Sequence, residues 1–207
     1  MENILKIGVT GSAGSGKSLV CQGLETLGLV TFDCDLIARQ IVEPGQKAYE
    51  GVVSCFGPDV VRQDKTLDRA RLRNMMVNRP DLRRQLEALL HPIIIAQMVL
   101  QMETAVYDRE PACAVEVPLL FELGMAAKFD ATVVVVATRE ALVERISNRD
   151  KVSAESAGKM LALQMAQEEK INQADHVIEN NGNPGELFES VEKLYLKIKK
   201  EFLTIKL

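Results

Sequence analysis

The chain has 207 residues, of which 47% are hydrophobic, and its 25 basic and 29 acidic side chains give a formal net charge of −4. This length is enough to bury a large core in one domain, or in one domain with insertions. The weakly acidic balance does not favour nucleic acid or an anionic membrane as a partner, so any anion site must be local.

The four cysteines lie apart without a Cys-x-x-Cys pair, and neither of the two histidines is close to them in sequence. Disulfides and a structural zinc site are therefore not expected. No stretch has the pattern of a signal sequence, and none reaches the roughly twenty apolar residues of a membrane span. We expect a cytoplasmic protein without a membrane partner, as a monomer or a small homo-oligomer.

Five short apolar runs, rich in β-branched residues, are predicted to be strands. The runs are continuous rather than alternating, which is typical of parallel strands covered on both faces. Stretches with helical spacing separate them, and strands that alternate with helices indicate an α/β fold with a doubly wound parallel sheet. The five runs are residues 4–10, 29–32, 113–117, 131–137 and 176–178.

The second and third runs are separated by about eighty residues, although a crossover between parallel strands needs only about a dozen. We therefore expect a helical insertion at about 60–110 within a single domain of residues 1–207. The pattern predicts a helix at 68–77, a break at 78–80, and a longer helical stretch interrupted at His91 and Pro92. A further helical stretch at about 140–174 has the position of a lid.

A phosphate-binding motif, the P-loop, follows the first predicted strand and opens a helical pattern. Its glycines let backbone N–H groups face inward, and the N-terminus of the following helix adds positive partial charge. Lys17 is placed to reach the β- and γ-phosphates of a nucleotide, and the hydroxyl of Ser18 to coordinate Mg²⁺. The motif G-x-x-x-x-G-K-[ST] is formed by Gly11, Ser12, Ala13, Gly14, Ser15, Gly16, Lys17 and Ser18.

Acidic residues lie at the ends of the second and third predicted strands. Ligands bind at the carboxyl edge of a parallel sheet, so Asp33 or Asp35 could accept a proton there from an attacking hydroxyl. Asp is also a frequent helix cap, and we assign capping to one of the two and chemistry to the other, with Asp35 favoured for chemistry. Glu116 has the position of an acid that supports Mg²⁺, although an ordinary solvated Glu before a Pro turn fits the spacing equally well.

Arg145 and Arg149 are four residues apart and therefore share one helical face. Arginines on a lid can stabilise a transferring phosphoryl group, and the nearby nucleotide motif favours this role over a solvated basic face. His91 lies in an apolar stretch, where a lone histidine is more often a packed core residue than a catalyst.

The P-loop alone indicates only a nucleotide, and three further stretches make the pattern specific. Residues 33–39 have the form D-x-D-x-x-A-R, residues 90–92 read L-H-P, and residues 118–122 read P-L-L-F-E. With these stretches in this order, the chain resembles the dephospho-CoA kinase family over essentially its whole length. The resemblance implies a five-stranded parallel core, a helical portion that binds coenzyme A, and a lid.

The resemblance also implies an activity, which is ATP-dependent phosphorylation of the ribose 3′-hydroxyl of dephospho-CoA. It makes Asp35 the general base and places Arg145 and Arg149 in the lid as catalytic residues. The motif and the strand positions add Lys17 as a catalytic residue and Ser18 and Glu116 as the expected Mg²⁺ ligands. The implied substrate-binding residues are Asp33, Arg39, His91, Leu119 and Leu120. Asn180, Asn181 and Gly182 correspond to a loop that is similar to the adenine-contacting loop of related kinases.

Two departures from the family pattern bear on these expectations. Ser12 and Ala13 stand where the family usually has Gly-Ile, and Cys34 stands where it usually has Ala. Neither change removes Lys17, Ser18 or a phosphate-binding N–H group, so activity is still expected.

Three other functions share the phosphate motif. A P-loop kinase for a nucleoside monophosphate or another small metabolite differs only in its acceptor. A GTPase-type switch is disfavoured because no N-K-x-D guanine motif is present. A protein that binds nucleotide without catalysis would show no release of ADP that depends on an acceptor.

Overall fold

The computed structural model describes residues 4–108 and 110–205, without the side chains of Arg73, Asn74, Val77, Asn78 and Ile205. The chain forms two compact units. One contains the residues up to Asp33 and from Met102 onward, and the other is Cys34–Gln101.

A five-stranded sheet forms the centre of the first unit, and all its strand pairs are parallel. The central strands are buried along their whole length, as expected of β-branched runs covered on both faces. The strand order is β2-β3-β1-β4-β5. The strands are β1 Leu5–Gly11, β2 Val30–Asp33, β3 Ala112–Glu116, β4 Ala131–Val136 and β5 His176–Glu179.

Helices flank the sheet, and two of them begin at residues whose side chains cap the helix N-terminus. Thr138 and Ser153 precede α6 and α7, and their side chains accept hydrogen bonds from Ala141 N–H and Ser156 N–H. These N-caps satisfy amides that have no partner inside the helix. The helices of this unit include α1 Lys17–Thr26, α6 Arg139–Asp150, α7 Ala154–Ala162, α8 Gln167–Gln173 and α9 Pro184–Ile205.

The hydrophobic core of the first unit lies where α1 and α9 pack with the sheet. It includes Val9 of β1, Leu24 of α1 and Val191 of α9. Gly23 allows the two helices to approach closely, because a Cβ at this position would lie 3.0 Å from a ring carbon of Phe188. The packing of α1 fixes the position of its N-terminus, which follows the phosphate motif directly.

The second unit consists of helices and short turns. Asp68 caps α4 by accepting a hydrogen bond from Arg71 N–H. Gly51 lies against Leu89, since a Cβ on Gly51 would be 2.8 Å from the Leu89 Cδ2. The elements are α2 Cys34–Gln40, α3 Tyr49–Phe56, a short 3-10 turn Pro58–Val60, α4 Arg69–Asn78 and α5 Pro80–Tyr107, whose last residues belong to the first unit.

The predicted interruption at His91 and Pro92 is wrong, because α5 runs through both residues. Proline removes one backbone hydrogen bond and costs a helix about 3 kcal/mol. Burial of apolar residues on both sides of it, Leu86 at 8% exposure and Met98 at 0%, offsets this cost. The second unit begins at Cys34, and the helical insertion at about 60–110 stays a prediction.

Of the helices in residues 4–108 and 110–205, one is long and apolar enough to cross a membrane by length and composition alone. This helix is α5, with a window of mean hydropathy 1.4 of which 17% is buried. Such a pattern is weak support for a span, and the helix carries His91, Gln97 and Gln101, which are costly in hydrocarbon. The absence of a membrane partner stays a prediction.

The predicted α/β fold is confirmed. Each of the five expected strands is present within a residue or two of its predicted bounds, and the strands form one parallel sheet. The predicted lid region at 140–174 contains three helices, α6, α7 and α8. Its role as a lid and the single-domain organisation stay predictions.

Two of the buried thiols are held neutral by their surroundings. Burial raises the pKa of Cys21 far above its ordinary value, and the nearby Glu116, Asp33 and Glu25 add to the effect, while Lys17 opposes it. Burial also raises the pKa of Cys113, to about 11. All four cysteines are free, and Cys55 is the only one that is not buried among them.

These environments predict the order in which the thiols react. A thiol of pKa about 11 carries the reactive thiolate in roughly one molecule in 10³ at pH 8. In native protein at pH 8, we expect iodoacetamide to modify Cys55 well before Cys21 and Cys113, as followed by peptide mass spectrometry. Protein unfolded in urea should lose this order. Equal labelling of Cys21 and Cys55 in native protein would contradict the assigned burial.

Candidate active site

The loop between β1 and α1 has a backbone that requires glycine. Gly14 and Gly16 have φ of 78° and 96°, in the left-handed region that side chains disfavour. At Gly11, a Cβ would collide with the carbonyl oxygen of Val135, and at Gly16 it would collide with the side-chain amide of Asn180. The motif therefore adopts its turn because three of its positions carry no side chain.

Lys17 is folded over this loop. Its Nζ donates hydrogen bonds to the carbonyl oxygens of Gly11 and Ser12, both at 3.2 Å, and the residue is 9% exposed. Lys17 is also the first residue of α1, whose N-terminus has no side-chain cap. The ammonium and the first backbone N–H groups of the helix therefore lie together, which is the arrangement that binds phosphate.

Two side chains from distant parts of the chain hold the loop from outside. Arg145 donates to the carbonyl oxygens of Gly14 at 3.2 Å and Asn180 at 2.9 Å. The side chain of Asn180 donates to the carbonyl oxygen of Ser15 at 2.7 Å. α6 and the loop after β5 thus hold the carbonyl groups of Gly14 and Ser15 in the P-loop.

The two predicted lid arginines have different surroundings. Arg145 contacts the P-loop, whereas Arg149, one turn further along α6, makes a two-point ion pair with Asp150 at 2.8 and 2.9 Å. The side chain of Arg149 is 60% exposed. The structure therefore brings one of the pair to the phosphate motif, and a catalytic role for either stays a prediction.

The loop after β5 supports the site through its polar side chains. Asn180 is 5% exposed and is engaged with the P-loop, and Asn181 accepts a hydrogen bond from Thr138 N–H at 2.8 Å. At Gly182, a Cβ would collide with the carboxylate of Glu186. The side chains of Asn180 and Asn181 thus have structural partners, and contact of this loop with adenine stays a prediction.

An acidic pair lies at the carboxyl ends of two neighbouring strands. Asp33 and Glu116 are register partners at the ends of β2 and β3, and Glu116 is 8% exposed. After burial, the charges of Glu116, Asp33 and Glu25 also raise the pKa of the Cys21 thiol in α1, and that of Lys17 lowers it. Asp35 is two residues beyond Asp33, exposed in the first turn of α2.

The residues present fit a magnesium ion bound together with a nucleotide. Within residues 4–108 and 110–205, no group of three or more His, Cys, Asp or Glu side chains forms a metal cluster. Mg²⁺ at phosphate sites needs only one or two protein oxygens, because phosphates and water supply the others. The exposed hydroxyl of Ser18 and the carboxylate of Glu116 are oxygen donors of the required kind.

The P-L-L-F-E stretch forms a turn after β3 that is pinned by a buried ion pair. Lys170 of α8 is 1% exposed and donates to the Glu122 carboxylate at 2.5 Å and to the Pro118 carbonyl oxygen at 3.4 Å. Thr10, at the end of β1, donates to the same carbonyl oxygen. Breaking such a pair typically costs about 3–5 kcal/mol, because one charge is left buried without its partner.

The two leucines of this turn, both predicted to bind substrate, lie in different environments. Leu120 is fully buried, and its Cδ1 would be 2.7 Å from a Cβ placed on Gly8. Leu119 is 36% exposed. Leu120 therefore contributes to the core in this structure, and Leu119 is the more accessible of the two to a ligand.

The helical unit contains a cavity of about 530 Å³ with a mostly apolar lining. At its polar side, Arg69 donates to the Arg39 carbonyl oxygen at 3.1 Å and to the Glu43 carboxylate at 3.2 Å. His91, the remaining predicted substrate residue, is partly buried in α5. The apolar lining includes Val42, Val52, Leu67, Leu72, Leu86 and Leu90.

Three contacts of the site have no signal in the sequence. Ala13 N–H of the P-loop donates to the Gln164 Oε1 at 3.0 Å, across 151 positions of the chain. The buried Lys170 and the contact between Arg145 and Asn180 likewise join residues distant in sequence. Ordinary Gln and Lys residues on helical stretches give no indication of such partners before the chain is folded.

Known proteins are similar to this chain over most of its length. The dephospho-CoA kinase family model matches residues 5–186. A dephospho-CoA kinase from Thermosynechococcus vestitus is 37% identical over 196 residues, which cover 94% of this chain and 95% of the relative.

Solved structures agree with the sequence relatives. TT1252 from Thermus thermophilus has a TM-score of 0.80 at 33% identity, and dephospho-CoA kinase from Campylobacter jejuni has 0.71 at 29%. Each comparison covers 95% of this chain and 98% of the other. Shikimate kinase from Bacteroides thetaiotaomicron, at 14% identity and a TM-score of 0.51, shares the fold alone.

The family match extends over most of the chain, and the curated relative is similar along nearly its full length. The glycine loop, Lys17 and the flanking acids occupy one edge of the sheet in the first unit. The chain belongs to the dephospho-CoA kinase family.

Proposed function

We propose that this chain transfers the γ-phosphoryl group of ATP to the ribose 3′-hydroxyl of dephospho-CoA, which gives coenzyme A and ADP. The observation that carries the proposal is the glycine loop with Lys17 folded over it, in a chain that matches dephospho-CoA kinases over residues 5–186. The reaction is a step of coenzyme A biosynthesis.

The P-loop would bind the triphosphate of ATP through its N–H groups and through Lys17. Lys17 donates to two loop carbonyl oxygens, and its positive charge attracts phosphate oxygens bound at the loop. Ser18 and Glu116 would hold Mg²⁺, which neutralises charge on the phosphate oxygens when it is bound. The loop is held by contacts from Lys17, Arg145 and Asn180, which limits its reorganisation during transfer.

Asp35 would act as the general base. The 3′-oxygen of the acceptor attacks the γ-phosphorus, its proton passes to the Asp35 carboxylate, and ADP leaves with the bridging oxygen. Two features support this assignment: Asp35 follows the strand end that carries Asp33, and it is exposed at the first turn of α2. In the sequence, Asp35 follows the carboxyl end of a parallel strand, and a carboxylate is a suitable acceptor for the proton of a hydroxyl.

Arg145 and Arg149 would stabilise the negative charge that develops on the transferring group. Arg145 donates two hydrogen bonds to carbonyl oxygens, and a guanidinium has five N–H donors, so others can contact a phosphate. We further propose that α6 to α8 close over the nucleotide and exclude water, because an exposed γ-phosphate would be lost to hydrolysis. The loop at 180–182 would then contact the adenine through its backbone.

The helical unit would bind dephospho-CoA. Its cavity of about 530 Å³ combines an apolar lining with Arg39, Glu43 and Arg69. An apolar wall suits the pantetheine arm, and arginine side chains suit a diphosphate. His91 and Leu119 stay candidates for further contacts with this substrate.

A cytoplasmic location fits the cysteine chemistry, because all four thiols are free and such thiols persist in reducing compartments. We propose that the chain functions there, as a monomer or a small homo-oligomer.

The acceptor can be tested directly. We expect release of ADP, followed in a coupled assay, to depend on dephospho-CoA and to be far slower with AMP, dTMP or water. The Lys17→Met variant, which loses the ammonium but keeps the length of the side chain, should lose turnover by several orders of magnitude. Faster turnover with a nucleoside monophosphate than with dephospho-CoA would overturn the proposed acceptor.

The general base can be tested with Asp35→Asn. We expect kcat to fall by about 10²–10⁴-fold, because the amide cannot take the proton, while the Kd for ATP measured by calorimetry changes little. Asp81→Asn is the matched control, since Asp81 is also an acid in the first turn of a helix, where it pairs with Arg79 and its side chain is 47% exposed. An unchanged kcat in Asp35→Asn would remove Asp35 from this role.

The metal assignment can be tested by titrating Mg²⁺. We expect chelation with EDTA to abolish turnover and Glu116→Gln to raise the Mg²⁺ concentration needed for half-maximal rate, because a neutral amide binds the ion more weakly. Glu25→Gln on α1 is a control for the loss of one nearby negative charge. If both variants shift the Mg²⁺ requirement equally, Glu116 has no special role at the metal.

A further inference from the structure

Gln164 lies in the short link between α7 and α8 and reaches the P-loop. Its Oε1 accepts the hydrogen bond from Ala13 N–H at 3.0 Å. Ala13 belongs to the loop that forms the phosphate cradle, so the carbonyl oxygen of Gln164 lies against this loop. The side chain is partly buried, which restricts the positions it can adopt.

This hydrogen bond fixes the orientation of the Gln164 carboxamide. An N–H donor must meet the oxygen, so the NH₂ group is at the other end. Among residues 4–108 and 110–205, Nε2 of Gln164 has no hydrogen-bond partner, although its carboxamide is anchored at the oxygen end. An anchored side chain with two unused N–H donors therefore lies next to the P-loop.

Two free N–H donors beside a phosphate cradle suit a phosphate oxygen. During phosphoryl transfer, charge spreads over the equatorial oxygens of the γ-phosphate, and neutral donors aimed at them lower the barrier. A carboxamide adds such donors without a charge that would disturb the acidic pair Asp33 and Glu116. Its anchor on Ala13 keeps the donors in place while the group transfers.

We propose that Gln164 is a catalytic residue that holds the P-loop through Oε1 and donates from Nε2 to the γ-phosphate of ATP during transfer. The inference rests on the proposed phosphoryl transfer, but it does not depend on which acceptor the enzyme uses. It also assigns a function to the link between α7 and α8, which joins two helices of the predicted lid.

The chain provides a matched control in Gln167, which begins α8. Its Oε1 accepts the Ala137 N–H at 3.2 Å, just beyond the end of β4. Like Gln164, Gln167 accepts a hydrogen bond from a backbone amide through its side-chain oxygen, but this amide lies outside the P-loop. Loss of this bond should affect stability without a specific effect on phosphoryl transfer.

The test compares three variants in single-turnover reactions with ATP and dephospho-CoA, together with the melting temperature and the calorimetric Kd for ATP. Gln164→Met removes both ends of the carboxamide, Gln164→Glu keeps an acceptor for Ala13 N–H but loses the donor, and Gln167→Met is the control. We expect both Gln164 variants to lose roughly 10²-fold in transfer rate, as for other removed transition-state donors. Gln167→Met should stay close to wild type.

The pattern of results separates the roles. A normal rate in Gln164→Met would show that the donor is not needed, and a normal rate in Gln164→Glu would show that only the bond to Ala13 matters; either result overturns the proposal. If Gln164→Met does not fold, a normal rate in Gln164→Glu still overturns the proposal. Failure of the proposed function is distinct, because wild-type enzyme would then not use dephospho-CoA, and the variants would be compared on the acceptor that it does use.

Discussion

The site depends on one constraint, which is that the backbone of the P-loop must turn tightly at positions where other chain segments leave no room for a side chain. Side chains would prevent this turn at Gly11, where the carbonyl oxygen of Val135 is close, and at Gly16, where the amide of Asn180 is close. The loop carbonyls are held in turn by Lys17, Arg145 and Asn180. Because these partners hold the loop, phosphate binding and transfer require little further loss of conformational entropy from it.

The overall acidic charge of the chain does not determine the character of this edge of the sheet. Lys17, Arg145 and the start of α1 place positive charge around the loop, and Asp33 and Glu116 lie beside it at the ends of their strands. The interaction energy between charges depends on their distances, so the net charge of −4 does not predict the electrostatic environment of this site. Positive groups at the loop and acidic groups beside it suit a reaction in which phosphate is bound while a hydroxyl loses its proton.

Buried polar contacts also hold the turn after β3 in a defined position. Lys170 and Glu122 are paired where water is largely excluded, and Thr10 shares the Pro118 carbonyl oxygen with Lys170. A buried pair of this kind contributes little net stability compared with an apolar contact, but its geometry is specific. The end of β1, the turn after β3 and α8 are thereby held in one arrangement around the P-loop.

The sequence alone determined the parallel fold, the P-loop and the family, because apolar periodicity and short motifs are local properties of the chain. It did not foresee that α5 continues through Pro92, where burial of Leu86 and Met98 offsets the lost hydrogen bond. Only the tertiary structure decided that Gln164 meets Ala13, that Arg145 meets Gly14 and that Lys170 is buried against Glu122. Such contacts join residues far apart in the chain, and their partners are fixed by packing rather than by any local pattern.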